Sequence, residues 1–175
     1  MEITKKKDGI VISGKTASVI FATNSDYSGD KHEIVIGSEK AKSGFCITEP
    51  GEFEVKGISV ISQSSGGDRV VDIVEIIVED TSVVIIKEGF KYSKRIHDSL
   101  GQVSVLIALC EQSKSYADIL KKLDPEVFIP VGSNDVLAQV VKESEINKSE
   151  ETSKVKLKAD SFGQEGFILE TYLLS

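Results

Sequence analysis

Through the first half of the chain, short runs rich in β-branched residues alternate with clusters of Gly, Asn, Asp and Ser, the pattern of strands bounded by turns. The runs fall near Gly9–Ile12, Ala17–Ala22, Glu33–Ile36, Gly44–Thr48, Phe53–Val55, Ile58–Gln63, Val70–Val78 and Ser82–Lys87. Between the sixth and seventh, Ser64-Ser65-Gly66-Gly67-Asp68 suits a hairpin tip, since no Lys-Ser or Lys-Thr follows to open the helix of a phosphate cradle.

Past Gly89 the apolar spacing changes to three and four between strand-like runs, so helices and strands alternate. Tyr92, Ile96 and Leu100 share a helical face, with Gly101 placed to end the helix. The apolar run Val103–Leu109 predicts a strand covered on both faces. Ser115 and Asp118 resemble a capping box before the stripe Tyr116, Ile119, Leu120 and Leu123, which stops ahead of Pro125. Another buried strand, Val127–Val131, follows, so strand, helix and strand predict a right-handed parallel crossover. Ser133 or Asn134 caps a helix with Val136, Leu137, Val140 and Val141 inward. Lys142–Lys158 reads as an exposed connection and Gly166–Leu174 as a final strand. With antiparallel strands leading and parallel crossovers trailing, residues 1–175 predict one α/β domain, a four-layer αββα sandwich of mixed sheets with external helices.

Composition fits an ordinary globule: 175 residues, 40% hydrophobic, 28% charged, with 3 Pro. The formal charge, 21 minus 28 or −7, repels phosphate backbones and anionic lipid, which argues against nucleic-acid and membrane partners. The clusters Lys5-Lys6-Lys7, Lys91/Lys94/Arg95 and Lys121-Lys122 lack interleaved aromatics and read as solvated surface. Cys46 and Cys110 lie in apolar runs as small hydrophobes, as in a reduced, cytoplasmic protein. Neither a signal-peptide core nor a stretch of about 18 apolar residues is present.

Pro50-Gly51-Glu52-Phe53-Glu54-Val55-Lys56-Gly57-Ile58 resembles the Pro-Gly-Glu-aromatic-Glu-Val-x-Gly-hydrophobic segment of small bacterial hydrolases in the metallo-β-lactamase superfamily, the branch related to ascorbate-phosphate lactonases. Val70–Val78, Val103–Ala108, Tyr116–Leu123 and Asp124–Pro130 agree in order with that family's second half. The resemblance implies the αββα fold and a hydrolytic metal site. Its ligands would be a His-x-His-x-Asp-His loop after an early strand, a Gly-Asp after a middle strand and a histidine after a late Ile-Pro. Here Glu33–Ile36 runs into Gly37–Gly44 without a histidine, Val83–Ile86 into Lys87-Glu88-Gly89, and Ile129-Pro130 into Val131-Gly132-Ser133. The chain thus resembles a degenerate member with no metal, no cofactor and no catalytic residue, whose vestigial cleft would lie at Ser38, Glu39, Lys40, Glu88, Gly89, Gly132 and Ser133.

Other chemistries are thinly supported. His32 and His97, the chain's 2 histidines, read as surface residues, too few for a tight site of three or more ligands. Glu39, Glu88 and Glu111 are the candidates for a carboxylate-only Mg²⁺ or Ca²⁺ site. Ser93 and His97 share a helix face but lack an orienting acid. Glu52 and Glu54 project to one side of a strand and read as surface carboxylates. The expected function is a non-catalytic binding or assembly module for an unidentified protein or small-molecule ligand. The alternatives are a hydrolase of a small phosphorylated or lactone substrate using a rebuilt site, and a homo-oligomeric scaffold, for which Phe167–Leu174 and the strand edges leave a homodimer open.

Overall fold

The structure, a computed structural model, describes residues 1–66, 70–158, 162 and 168–174. Strand β1 (Glu2–Lys6) leads into β2 (Gly9–Ser13), β3 (Ser18–Ala22), β4 (Ile34–Ile36) and β5 (Phe45–Ile47). Next come β6 (Gly51–Val55), β7 (Ile58–Gln63), β8 (Ile73–Val78) and β9 (Thr81–Ile86). The second half runs α1 (Lys94–Ser99), β10 (Val105–Leu109), α2 (Ala117–Leu123), β11 (Val127–Val131) and α3 (Asn134–Glu143), and closes with β12 (Glu150–Thr152), β13 (Lys154–Lys156) and β14 (Glu170–Leu174).

The strands form two sheets, ordered β13-β1-β2-β3-β4-β5 and β12-β14-β11-β10-β9-β8-β7-β6. Side-chain alternation divides each strand between two environments. Ile10, Phe21 and Ile36 of the smaller sheet and Ile85, Ile107 and Ile129 of the larger one join a single core between the sheets. Each of these is at most 1% exposed, which at ordinary transfer energies stabilises the fold by about 1.5–3 kcal/mol per side chain. The alternate positions Val84, Leu106 and Phe128 face outward, where Ile96, Leu120, Leu123 and Val140 of the three helices cover them. On the other outer face Val11, Ile20 and Val35 lie under Tyr27 and Ala41 from the loops at 23–33 and 37–44 and under Cys46. The two mixed sheets with outside helices are the α/β sandwich expected, with loop segments supplying the layer over the smaller sheet.

Two hairpins turn on paired positive φ angles, Lys56 (51°) with Gly57 (76°) and Glu79 (53°) with Asp80 (59°), the geometry that matches strand twist in a two-residue loop. Ser64–Asp68 does lie between the antiparallel β7 and β8, although Gly67 and Asp68 fall outside the described residues.

The structure corrects several expectations. The leading half is not all antiparallel: β3 pairs with β4, and β4 with β5, in parallel. The central strand of the three, β4, is buried on both faces and carries no mark of direction in its sequence. The Lys142–Lys158 segment is not merely an exposed connection, because β12 and β13 edge the two sheets and bury Val155 and Leu157. Strand β1, unforeseen among its lysines, pairs with both β2 and β13. Helix α1 starts after Tyr92, with Ser93 at its N-cap accepting from the Ile96 N–H. The Ser115–Asp118 capping box does not form; Tyr116 is the N-cap of α2, and its N–H donates to Ser144 Oγ at 2.8 Å. The final strand starts at Glu170 and lies inside its sheet between β11 and β12, which removes it as a free edge; Gly166 and Phe167 lie outside the described residues.

Candidate functional site

Five strands end around one cleft. The residue after β3 is Thr23, after β4 Gly37, after β9 Lys87, after β10 Cys110 and after β11 Gly132, and all five line a cavity of about 690 Å³. Crevices outside the carboxyl ends of parallel strands are where open α/β sheets bind ligands, because the chain leaves each strand there and its loops diverge. Gly37 and Gly89 contribute backbone at φ +90° and +83°, a region that residues with a Cβ rarely occupy.

The cleft is unusual in its lysines. Lys87, half-buried, holds its Nζ 5.4 Å from the centroid of the Phe21 ring. Among the described residues its ammonium has no hydrogen-bond acceptor or carboxylate partner. Burial pushes its pKa below the ordinary lysine value, while the Asp72 charge acts in the opposite sense. Asp72 itself is occupied by Ser65, whose N–H and hydroxyl both donate to it. Lys5 reaches across from β1 and donates to Gly132 O at 3.0 Å. This lysine is therefore not the solvated surface residue its tri-lysine cluster suggests.

Glu88 and Glu111 also line the cleft. Glu88 Oε2 accepts from the Glu111 N–H at 3.3 Å, and Oε1 is 3.6 Å from Lys114 Nζ. Lys114 in turn caps the Tyr116 ring at 5.1 Å. Cys110 is 4% exposed, with Sγ 3.4 Å from Tyr116 Oη. Burial pushes both the Cys110 thiol and the Tyr116 phenol up, so the sulfur stays protonated and lacks the thiolate character of a nucleophile.

Glu88, Gly89 and Gly132 line the cleft, whereas Ser38, Glu39, Lys40 and Ser133 do not. Ser38 is 1% exposed, its Oγ 2.7 Å from Ser25 O and 2.9 Å from Tyr27 O, and it braces the loop from within. Glu39 accepts from Thr48 Oγ1 at 3.2 Å, and Lys40 pairs with Asp26 on the surface. Ser133 holds the N-cap position of α3, exposed and without a side-chain capping bond. The histidines stand on separate elements: His32 Nδ1 is 3.1 Å from Ser18 Oγ, and His97 rests against Tyr92. Glu52 and Glu54 are exposed on β6. Reading the residue that follows each parallel strand adds Lys87 and Cys110 to the cleft residues named from the sequence; nothing local marks Lys5.

Do these residues fit a metal ion? The three stretches that the resemblance assigns to ligands do meet, at Gly37, Lys87–Gly89 and Gly132. Two of them offer glycine, and the third a lysine and a carboxylate already held by a lysine and a backbone N–H. Among the described residues no three His, Cys, Asp or Glu side chains are grouped to hold an ion. The donor set does not fit a zinc-type site, which needs three or more converging N, S or O ligands.

Architecture places the chain among known folds. It aligns over 98% of its length with 98% of a proposed Zn-dependent hydrolase of the metallo-β-lactamase superfamily from Thermotoga maritima, at a TM-score of 0.70 and 13% sequence identity. The metallo-β-lactamase fold protein YhfI from Bacillus subtilis aligns over 98% of this chain and 95% of its own, at a TM-score of 0.56 and 8% identity. No protein-family model and no curated protein sequence matches the chain. The chain therefore has the metallo-β-lactamase fold. Among the described residues, no helix is long and apolar enough to cross a membrane.

Proposed function

We propose that this chain is a metallo-β-lactamase-fold binding protein that does not perform metal-dependent hydrolysis, its cleft serving to hold a ligand. One observation carries the reading: where the five strand ends converge, the positions assigned to metal ligands are Gly37, Lys87-Glu88-Gly89 and Gly132. An ammonium within such a cleft repels a dication, whereas the carboxylate of the Gly-Asp it would replace attracts one. The hydrolase description of the Thermotoga maritima protein is not carried over at 13% identity, because activity resides in site residues that a shared fold does not specify. Metal analysis of protein purified without an affinity tag or chelator tests the reading. Metal well below one equivalent is the expected result; zinc, manganese or iron near one equivalent would falsify it.

A further inference from the structure

Lys87 is the group in the cleft that the binding role leaves unexplained. A half-buried ammonium ordinarily finds an oxygen acceptor, because losing water without replacing its hydrogen bonds is costly. Here the ammonium rests over the Phe21 ring with all three donors unclaimed among the described residues. Asp72, whose charge acts on it, is taken by Ser65. Lys5, in the lining of the same cavity, spends one donor on Gly132 O and keeps two. The lining carboxylates do not cancel this: Glu88 is held by Lys114 and the Glu111 N–H, and Glu111 is exposed to water. The same cavity is lined by the apolar side chains of Phe21, Leu109 and Val131.

We infer that the cleft binds a small organic oxyanion, its carboxylate or phosphate group on Lys87 and Lys5 and its apolar body against Phe21, Leu109 and Val131. This rests on the binding reading above and adds the ligand's chemical class. Charge-assisted N–H···O bonds supply the polar recognition, and the low-dielectric wall strengthens them. Lys87 dominates, because Lys5 shares its charge with the Gly132 carbonyl.

Calorimetric titration with phenyl phosphate and with benzoate, against neutral benzamide at matched ionic strength, tests the inference. Saturable one-to-one binding of both anions and none of benzamide is expected. Lys87→Gln should weaken the anions roughly tenfold or more, Lys5→Gln less, and Lys121→Gln, an exposed lysine outside the cleft lining, not at all. Lys87→Arg, which keeps the charge, should retain most of the affinity and thereby separate lost charge from lost folding. The inference is overturned if neither anion binds, if benzamide binds as well, or if Lys87→Gln binds like Lys121→Gln. Metal analysis of the same preparation separates the two readings. Metal-free protein that ignores both anions sinks only the oxyanion, whereas a metal-loaded protein whose anion affinity survives Lys87→Gln sinks the binding reading as well.

Discussion

Val84, Leu106 and Phe128 lie beneath three helices, whereas Val11, Ile20 and Val35, also buried but on the opposite face of the sandwich, lie beneath loops. A helix satisfies its own backbone hydrogen bonds and can present a continuous apolar stripe to a sheet. A loop must find partners for its backbone piecemeal, and these loops do so through Ser38 beneath Ser25 and Tyr27 and through Ser43 on Asp30 O. The helix layer therefore buries a large second core, and the loop layer buries a small one. The cleft stands at the junction, one wall from the strand ends of the larger sheet and the other from Thr23, Ser25 and Gly37.

The largest expected effect tests the helix-covered face. Phe128 is 0% exposed and packs on Tyr116 at 5.6 Å between ring centroids. Phe128→Ala should cost about 3–5 kcal/mol in urea unfolding; a loss near 1 kcal/mol would show that the helices can close over the gap. Ile20→Ala on the loop-covered face should cost nearer about 2 kcal/mol, because short loops collapse into a void more readily than packed helices do. Equal losses at the two sites would break the contrast.

Smaller effects sharpen the picture at the cleft. The folded-state pKa of Lys87 lies below the ordinary value of 10.5, so its charged form is disfavoured by folding. That cost is fully present below the folded-state pKa and fades as pH rises to the unfolded value. Lys87→Met should accordingly raise the unfolding midpoint at neutral pH and lose its advantage as pH approaches 10.5. A midpoint lowered at neutral pH would argue that the ammonium is well accommodated without a ligand. Such a gain, with ligand affinity lost, is the trade-off expected where a site is built for function.

The smallest effect lies at the base of the loop layer. The Ser18 N–H, followed by its hydroxyl, holds the Glu33 carboxylate below its ordinary 4.5 and ties the starts of β3 and β4 together. This contribution is present above 4.5 and vanishes as pH falls through the lowered folded-state value. Wild type should exceed Glu33→Gln in midpoint near neutrality, and the gap should close on acidification; a gap independent of pH would assign the effect to shape instead of charge.

Much of this molecule is local information. The strands from Gly9 to Lys87, the runs Val103–Leu109 and Val127–Val131 and the three helices follow from the period of apolar residues, because side-chain direction alternates with the backbone irrespective of what the strand pairs with. The stretches Lys87–Gly89 and Gly132 were legible as the places to look, since each follows a buried strand. Ser38, Glu39 and Lys40 were not separable from Gly37 in the same way: whether a loop residue faces a cleft, a neighbouring loop or water depends on partners distant in sequence. Direction within the first sheet was likewise hidden, because β4 is buried on both faces and no helix announces its parallel pairing.

By itself, the sequence determined that two sheets with faces of known polarity would form and that metal-ligand residues would be scarce. Only the tertiary structure decided which strand ends meet, and so set Lys5 on Gly132, 127 residues away, with Lys87 lining the same cleft. Periodicity encodes the face a side chain occupies, but convergence at a site depends on sheet order and strand direction, which arise from pairing between segments far apart along the chain.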